Sequence, residues 1–451
     1  MKKIKFVRFL AFACVASMLL LTACGKANGG SKEESSPTKA GNDTKNEVSP
    51  TPAKSSDDSG TAGDDLSGEI TFAFWDGNQQ EGMQALIDAY NVKHPDVKIN
   101  ISVTPWDQYW QVLGAAAEGG MPDVFWMHSN NFVDFAKKDI LMDCTGLYDK
   151  ANFPEGISNV FQWNGQQLGV PKDFDTIALV YNKNLFDAAG LSYPDDTWDW
   201  DTLVENAQKL TKDGVYGFCA PAGEDQSGYL LPIYQAGGYT VKFGDKNSGY
   251  TDPKTVQGVQ FWVDLQKKYK VSPTQEQFAE MSQHDYFKSG KAAMVYLGSW
   301  EIKGYIEAMA ELGQDFDIAV MPKGPDGTRA TIYNGLTYAG YKGTAQPEIV
   351  KSFLIFLGTK EAAEVMGKSG AAIPAYNGTQ ESWYNNFAGH NVKAYPDMIE
   401  YGVQYPFSVT KAEWGTEEKS MIAQLYTQDN PDVAGQLKKI EDVVNSYLAK
   451  E

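Results

Sequence analysis

The chain has 451 residues and a formal net charge of −19, with 58 acidic side chains against 39 basic ones. So acidic a balance excludes docking on nucleic acid or anionic lipid headgroups through a basic face. The four histidines and four cysteines are scattered and match no metal-ligand spacing, so neither metal nor cofactor is expected.

Lys2, Lys3, Lys5 and Arg8 precede an uncharged stretch from Phe9 to Ala23, the basic-then-apolar order of an export signal. That stretch is short for a bilayer, which needs roughly 20 apolar residues. It closes on Leu21-Thr22-Ala23-Cys24-Gly25, which resembles the lipobox of bacterial lipoproteins. The resemblance implies a signal peptide over residues 1–23, cleavage before Cys24 and lipid on Cys24; the alternative is an uncleaved anchor with a chance cysteine. Cleavage would remove four positive charges and no negative one, taking the net charge from −19 to −23. Residues 24–67 are rich in Ser, Thr, Gly, Pro, Lys and Asp, too polar to offset the entropy of ordering, and are expected to form a disordered linker. As a flexible coil it would reach on the order of 35 Å.

From Gly68 the pattern changes. "GEITFAFW" is predicted as a strand. In "EGMQALIDAYNVKHPDVKINISV", Met83, Leu86, Ile87 and Tyr90 mark one helical face, His94-Pro95 stops the helix, and Val97, Ile99, Ile101 and Val103 alternate as a strand does. "DQYWQVLGAAAEGGMPDVFWM" adds a helix and a buried strand at 123–127. Further helices are expected around 201–210, 256–269 and 348–357, with strands at "KAAMVYLG" and "DIAVMP". This alternation is the grammar of an α/β layered fold, and the length of the body asks for two lobes. Cys144 and Cys219 remain after the signal and lipobox cysteines. They are read as buried free thiols, a disulfide being the alternative.

"GGMPDVFWMHSNNFVDFAKKDILMDCTGL", "QLGVPKDFDTIALVYNKNLFDAAGL" and "FKSGKAAMVYLGSWEI", with the tail of short helices, resemble the sugar-binding branch of the extracellular solute-binding proteins of bacterial ABC importers. The resemblance implies an α/β, two-lobe periplasmic-binding-protein-like (type II) fold with a multi-segment hinge. Lobe 1 would comprise 68–176 plus 322–370, and lobe 2 177–321 plus 371–451. The crossings would lie near 175–178, 320–322 and 370–374. It also implies a carbohydrate ligand, permease subunits of an importer as partners, a monomer, no catalysis, and a lipid-held place on the outer face of the membrane of a Gram-positive cell.

A sugar ring offers a face of C–H groups that an indole covers, leaving the hydroxyls to polar partners at the rim. Trp75, Asp76 and Asn78 follow the first strand, where α/β clefts collect ligands; a solvated turn is the plainer role. Trp106 is expected to face ligand and Trp110 to pack. Trp126 is read as core and Asn130, in the polar loop beyond it, as a contact. The resemblance adds Asp175, Asp225, Gln226, Trp300, Asn334, Gly335 and Trp414. Two rivals stay open: a lipid-anchored glycoside hydrolase, whose cleft also carries aromatics and acids, and a receptor for a non-sugar solute such as a peptide. No nucleophile elbow, His-Glu-x-x-His or phosphate loop occurs.

Overall fold

The computed structural model describes residues 66–451 except Glu118 and Glu224, with only the backbone described for Asp107 and Asp225. Cys24, the signal segment and the linker as far as residue 65 lie outside the described residues. Twelve strands occur among those described. In chain order they are β1 (Gly68–Phe74), β2 (Val97–Val103), β3 (Val124–His128), β4 (Gln162–Trp163), β5 (Gln166–Gln167), β6 (Val170–Asp175), β7 (Ile177–Asn182), β8 (Met294–Gly298), β9 (Phe316–Ala319), β10 (Thr331–Gly340), β11 (Ile373–Pro374) and β12 (Gly402–Gln404).

The larger sheet runs β11-β6-β10-β3-β1-β2, with β12 on the early part of β10, and the smaller runs β8-β7-β9. Each is covered on both faces, which is why the central strands read as continuous apolar runs rather than alternating ones. Along β1, Phe72 and Phe74 enter one core and Ala73 the other; β3 likewise divides Val124 and Trp126 from Phe125 and Met127. In the smaller sheet Ile177, Leu179 and Tyr181 face one core while Ala178 and Val180 face a second. These two sheets make two lobes, and the core behind Ala178 and Val180 is shared between them, since it also takes in Phe174 of β6 and Ile373 of β11.

Three passages join the lobes. The first is a single residue, Thr176, between β6 in one sheet and β7 in the other. The second falls along β10: Ile332 packs in the core of the second lobe, whereas Tyr338 and Ala339 pack in those of the first. Residues 322–330 still lie on the second lobe, where the Lys323 backbone bonds to both Trp198 and Trp200. The third comes after β11, later than 370–374: β11 pairs with β6, Asn377 and Asn386 still bond to Asn152 and Gly367, and Asn391 reaches Asp317 and Ile318 of β9. Hydrogen bonds clamp the passages: Thr331 Oγ1 accepts from the Ile177 N–H and donates to the Ile177 carbonyl, both at 2.9 Å, and Thr176 Oγ1 donates to the Tyr395 carbonyl at 2.7 Å. A few backbone torsions in such passages suffice to rotate one lobe against the other.

Cys144 and Cys219 are free and buried in different cores. Burial pushes the Cys144 thiol up to about 12 and the Cys219 thiol higher still, which leaves both inert. Among the described residues no helix is long and apolar enough to cross a membrane.

Candidate functional site

Between the lobes lies a cavity of about 800 Å³. Its first wall begins where β1 ends. Trp75 stands edge-on to Trp106, Tyr109 and Trp126, with ring centroids 5.1, 5.3 and 5.1 Å away, and Trp106 meets His128 at 5.2 Å. Such edge-to-face contacts hold the rings without covering all their faces. Trp106, at the first position of the helix Trp106–Ala116, keeps 39% of its surface exposed although it is large and apolar. Trp110 leans on Trp75 and Tyr109 as packing, and Trp126 is wholly buried.

Asp76 lines the cavity but also caps the turn after it. One carboxylate oxygen accepts from the Asn78 N–H and the other from Gln79 Nε2, each at 2.9 Å. Gln79 Oε1 in turn accepts from Lys172 Nζ at 2.9 Å, and Lys172 is ion-paired with Asp173, both buried. The floor is therefore a chain of satisfied polar groups, the condition under which buried charge is tolerated.

The opposite wall belongs to the second lobe. Trp300 follows β8 and folds back over Gly298, where an added Cβ would come within 2.1 Å of the indole. Only glycine lets the ring lie there. The helix Ile302–Glu311 continues this wall with Lys303 and Glu307, and Lys288 and Glu301 join them. Across the gap Lys303 Nζ stands 3.8 Å from Glu81, on the first-lobe helix Gln80–Asn91. An exposed pair contributes little to stability, but its closeness shows that the walls approach each other.

At the bottom, Asp175 closes β6. Its Oδ1 accepts from Gln226 Nε2 at 2.6 Å and from the Asn334 N–H at 3.2 Å. One carboxylate at a lobe crossing thus bonds the turn Asp225–Tyr229 and β10. Although it opens partly into the cavity, enclosure by protein and then the charge of Asp173 hold Asp175 well above the usual carboxylate range. A carboxyl whose folded pKa is raised stabilises the fold below its unfolded value, and that contribution is lost as pH rises through the folded value. Asp175→Asn should therefore raise the melting temperature at pH 8 by about 2 °C, a gain that fades toward pH 4 where both side chains are neutral. Ligand affinity at pH 8 should meanwhile fall about tenfold, as the charged acceptor is lost, and the difference should shrink toward pH 4 with the charge. Thermal denaturation and calorimetry at both pH values check this.

Of the residues singled out in the sequence, Trp75, Asp76, Asn78, Trp106, Asp175, Gln226 and Trp300 meet around one cavity. Others do not. Trp414 is wholly buried: its Nε1–H donates to Ser408 Oγ at 2.8 Å and Lys411 Nζ lies 3.9 Å over its ring, so its face is taken. Asn334 is buried beneath the wall, its Oδ1 accepting from Ser129 Oγ at 2.6 Å while its amide meets His128. Gly335 is buried because Ile157 packs 3.0 Å from where a Cβ would stand. Asn130 lies off the lining, where His128 stands instead. The side chain of Asp225 lies outside the described residues. Sequence reasoning missed Gln79, Glu81, Lys288, Glu301, Lys303 and Glu307. Glu301, next to Trp300, was the one with a local signal. Among the described residues no three His, Cys, Asp or Glu side chains gather as a metal site would need.

Two lobes joined by three passages, with a cleft between them, define the architecture of a two-lobe binding protein. The profile of the bacterial extracellular solute-binding proteins matches residues 76–364, and the chain belongs to that family. It is 27% identical to the arabinooligosaccharide-binding protein of Bacillus subtilis over 67% of this chain and 73% of that one. Its fold is similar to that of an ABC substrate-binding protein of Listeria monocytogenes in complex with cycloalternan, with a TM-score of 0.77 and 22% identity over 84% of this chain and 99% of that one. The GacH receptor of Streptomyces glaucescens, solved unliganded and with acarbose, gives 0.75 and 22% over 85% and 99%.

Proposed function

We propose that this chain captures a neutral sugar or oligosaccharide between its lobes and delivers it to the permease subunits of an ABC importer. The observation that carries this reading is the pair of indole walls, Trp75 with Trp106 on one lobe and Trp300 on the other, around a space the size of a small oligosaccharide. The relatives named for arabinooligosaccharides, cycloalternan and acarbose support the ligand class. Five carboxylates line the cleft against two lysines, which disfavours uronic acids and sugar phosphates. The chain is read as a receptor without turnover, because Asp76 is spent on its turn and Asp175 on Gln226 and Asn334, leaving neither placed as a lone acid or nucleophile.

Closure is read as rotation about the three passages, with ligand favouring the closed form through contacts made to both lobes at once. Lipid on Cys24 and the linker after it would keep the receptor concentrated beside its permease. Calorimetry with arabinotriose and maltotriose, followed by solution scattering at saturation, tests this. Binding without product and a smaller radius of gyration are expected, with a stability gain of about 2.7 kcal/mol at 100 times the dissociation constant. Sugar hydrolysis, or binding without compaction, would overturn it.

A further inference from the structure

A cluster of titratable groups stands behind the second wall. Glu301, in the turn after β8, forms part of the cavity surface. His284, on the neighbouring helix Gln283–Lys288, places Nδ1 3.3 Å from Glu301 Oε2 and 2.5 Å from Tyr305 Oη. One ring nitrogen therefore faces both a carboxylate on the cavity wall and a buried phenol. A carboxylate has about four lone-pair sites, so Glu301 can bond within the wall and also accept from a hydroxyl group in the cavity it lines.

Resting on the sugar reading of this cleft, we propose that Glu301 accepts a ligand hydroxyl and that His284 is its positioning residue, so that protonation of the imidazole lowers affinity for sugar. A neutral imidazole with its proton on Nδ1 orients the carboxylate and leaves its charge intact. An imidazolium forms an ion pair with it, which both turns the carboxylate away and weakens it as an acceptor for neutral hydroxyls. The other charged groups around the ring are Asp285 and Lys288 on its own helix, Lys288 also lying 4.5 Å over the Tyr305 ring. Tyr395, buried behind, is raised by burial and then by Glu301. Burial, then Lys288, lower the imidazole, with Asp285 opposing them, so its protonation is displaced to the acid side of the ordinary histidine value.

The test is calorimetry with arabinotriose and maltotriose from pH 8 to pH 5 on the parent, His284→Asn and Glu301→Gln. Asparagine keeps a donor near the Nδ1 position and cannot be protonated. Parent affinity should hold above neutrality and fall about three- to tenfold by pH 5. That of His284→Asn should stay flat, and that of Glu301→Gln should be at least about tenfold weaker throughout. A His284→Asn profile that follows the parent, or Glu301→Gln binding at parental strength, would overturn the proposal. In the ligand-free protein, an NMR titration of the imidazole should show a lower pKa in Glu301→Gln; no movement would also overturn it. If neither sugar gives heat at any pH, the sugar reading fails, while this titration still judges the coupling of His284 to Glu301.

Discussion

Trp106→Ala and Trp300→Ala should each weaken sugar binding by about 30- to 300-fold, with little change in fold. An indole can bury 150–250 Å². If a sugar covers about 80–100 Å² of it, burial at ~25 cal/mol/Å² accounts for about 2 kcal/mol, and central aromatic anchors commonly exceed that on truncation. Trp106 suits the experiment because it is 39% exposed and meets its neighbours edge-on, so its loss removes little core. Trp300 is more embedded, lying over Gly298 and against the core of the second lobe, so its alanine variant should lose some stability as well as affinity. Phenylalanine at either position keeps a smaller flat face and should recover most of the affinity. Calorimetry decides the matter: alanine variants within about twofold of the parent would mean that the sugar does not stack on these rings.

The fold was readable where apolar spacing is local. Val97 and Ile99, alternating with polar Lys98 and Asn100, announced β2, and the unbroken run Val124–Met127 announced a strand covered on both sides. Trp414 was not readable, for a physical reason. On the helix Lys411–Gln424 the buried positions are Lys411, Trp414, Gly415, Glu418 and Ile422, a true helical stripe. Lys411 and Glu418 sit 3.6 Å apart inside the core, where Tyr250 donates to Glu418 at 2.6 Å. Two charges in the inward stripe make it read as polar, so nothing local opposed the ligand role that the resemblance implies for Trp414.

The site divides the same way. Residues at strand ends, such as Trp75 and Trp300, could be placed because a strand end has a fixed position relative to the cleft. Glu81, Lys303 and Glu307 sit on helices whose polar faces resemble any solvated face. Only the approach of Glu81 to Lys303 from the other lobe distinguishes them, and that contact spans more than two hundred residues of chain. Asn334 misled in the opposite sense. The resemblance implies a ligand contact for it, whereas its side chain is spent on Ser129, His128 and its neighbouring N–H.

The largest loss of stability should follow Lys172→Met, by about 3–5 kcal/mol at pH 8. Lys172 is buried, paired with buried Asp173, bonded to Gln79 and 4.0 Å over the ring of Trp126. Methionine fills the space but leaves Asp173 without its counter-charge, and it leaves an acceptor on Gln79 unpaired. In the parent, burial raises the Asp173 carboxyl while Lys172 opposes the rise. Without the lysine that opposition disappears and the folded-state value climbs further. Since a raised carboxyl costs stability as pH increases through it, the deficit of the variant should shrink from pH 8 toward pH 5, where Asp173 can take up a proton. Replacing both partners, Lys172→Met with Asp173→Asn, should recover much of the loss, because the cost lies in the unpaired charge more than in the missing attraction. Denaturant unfolding of the three proteins at both pH values tests this. A single variant as stable as the parent at pH 8, or a deficit unchanged by acid, would show that Asp173 does not depend on Lys172. It would also unseat the account of the cleft floor, because Asp76 and Trp126 are tied to that same lysine, the first through Gln79 and the second through its ring.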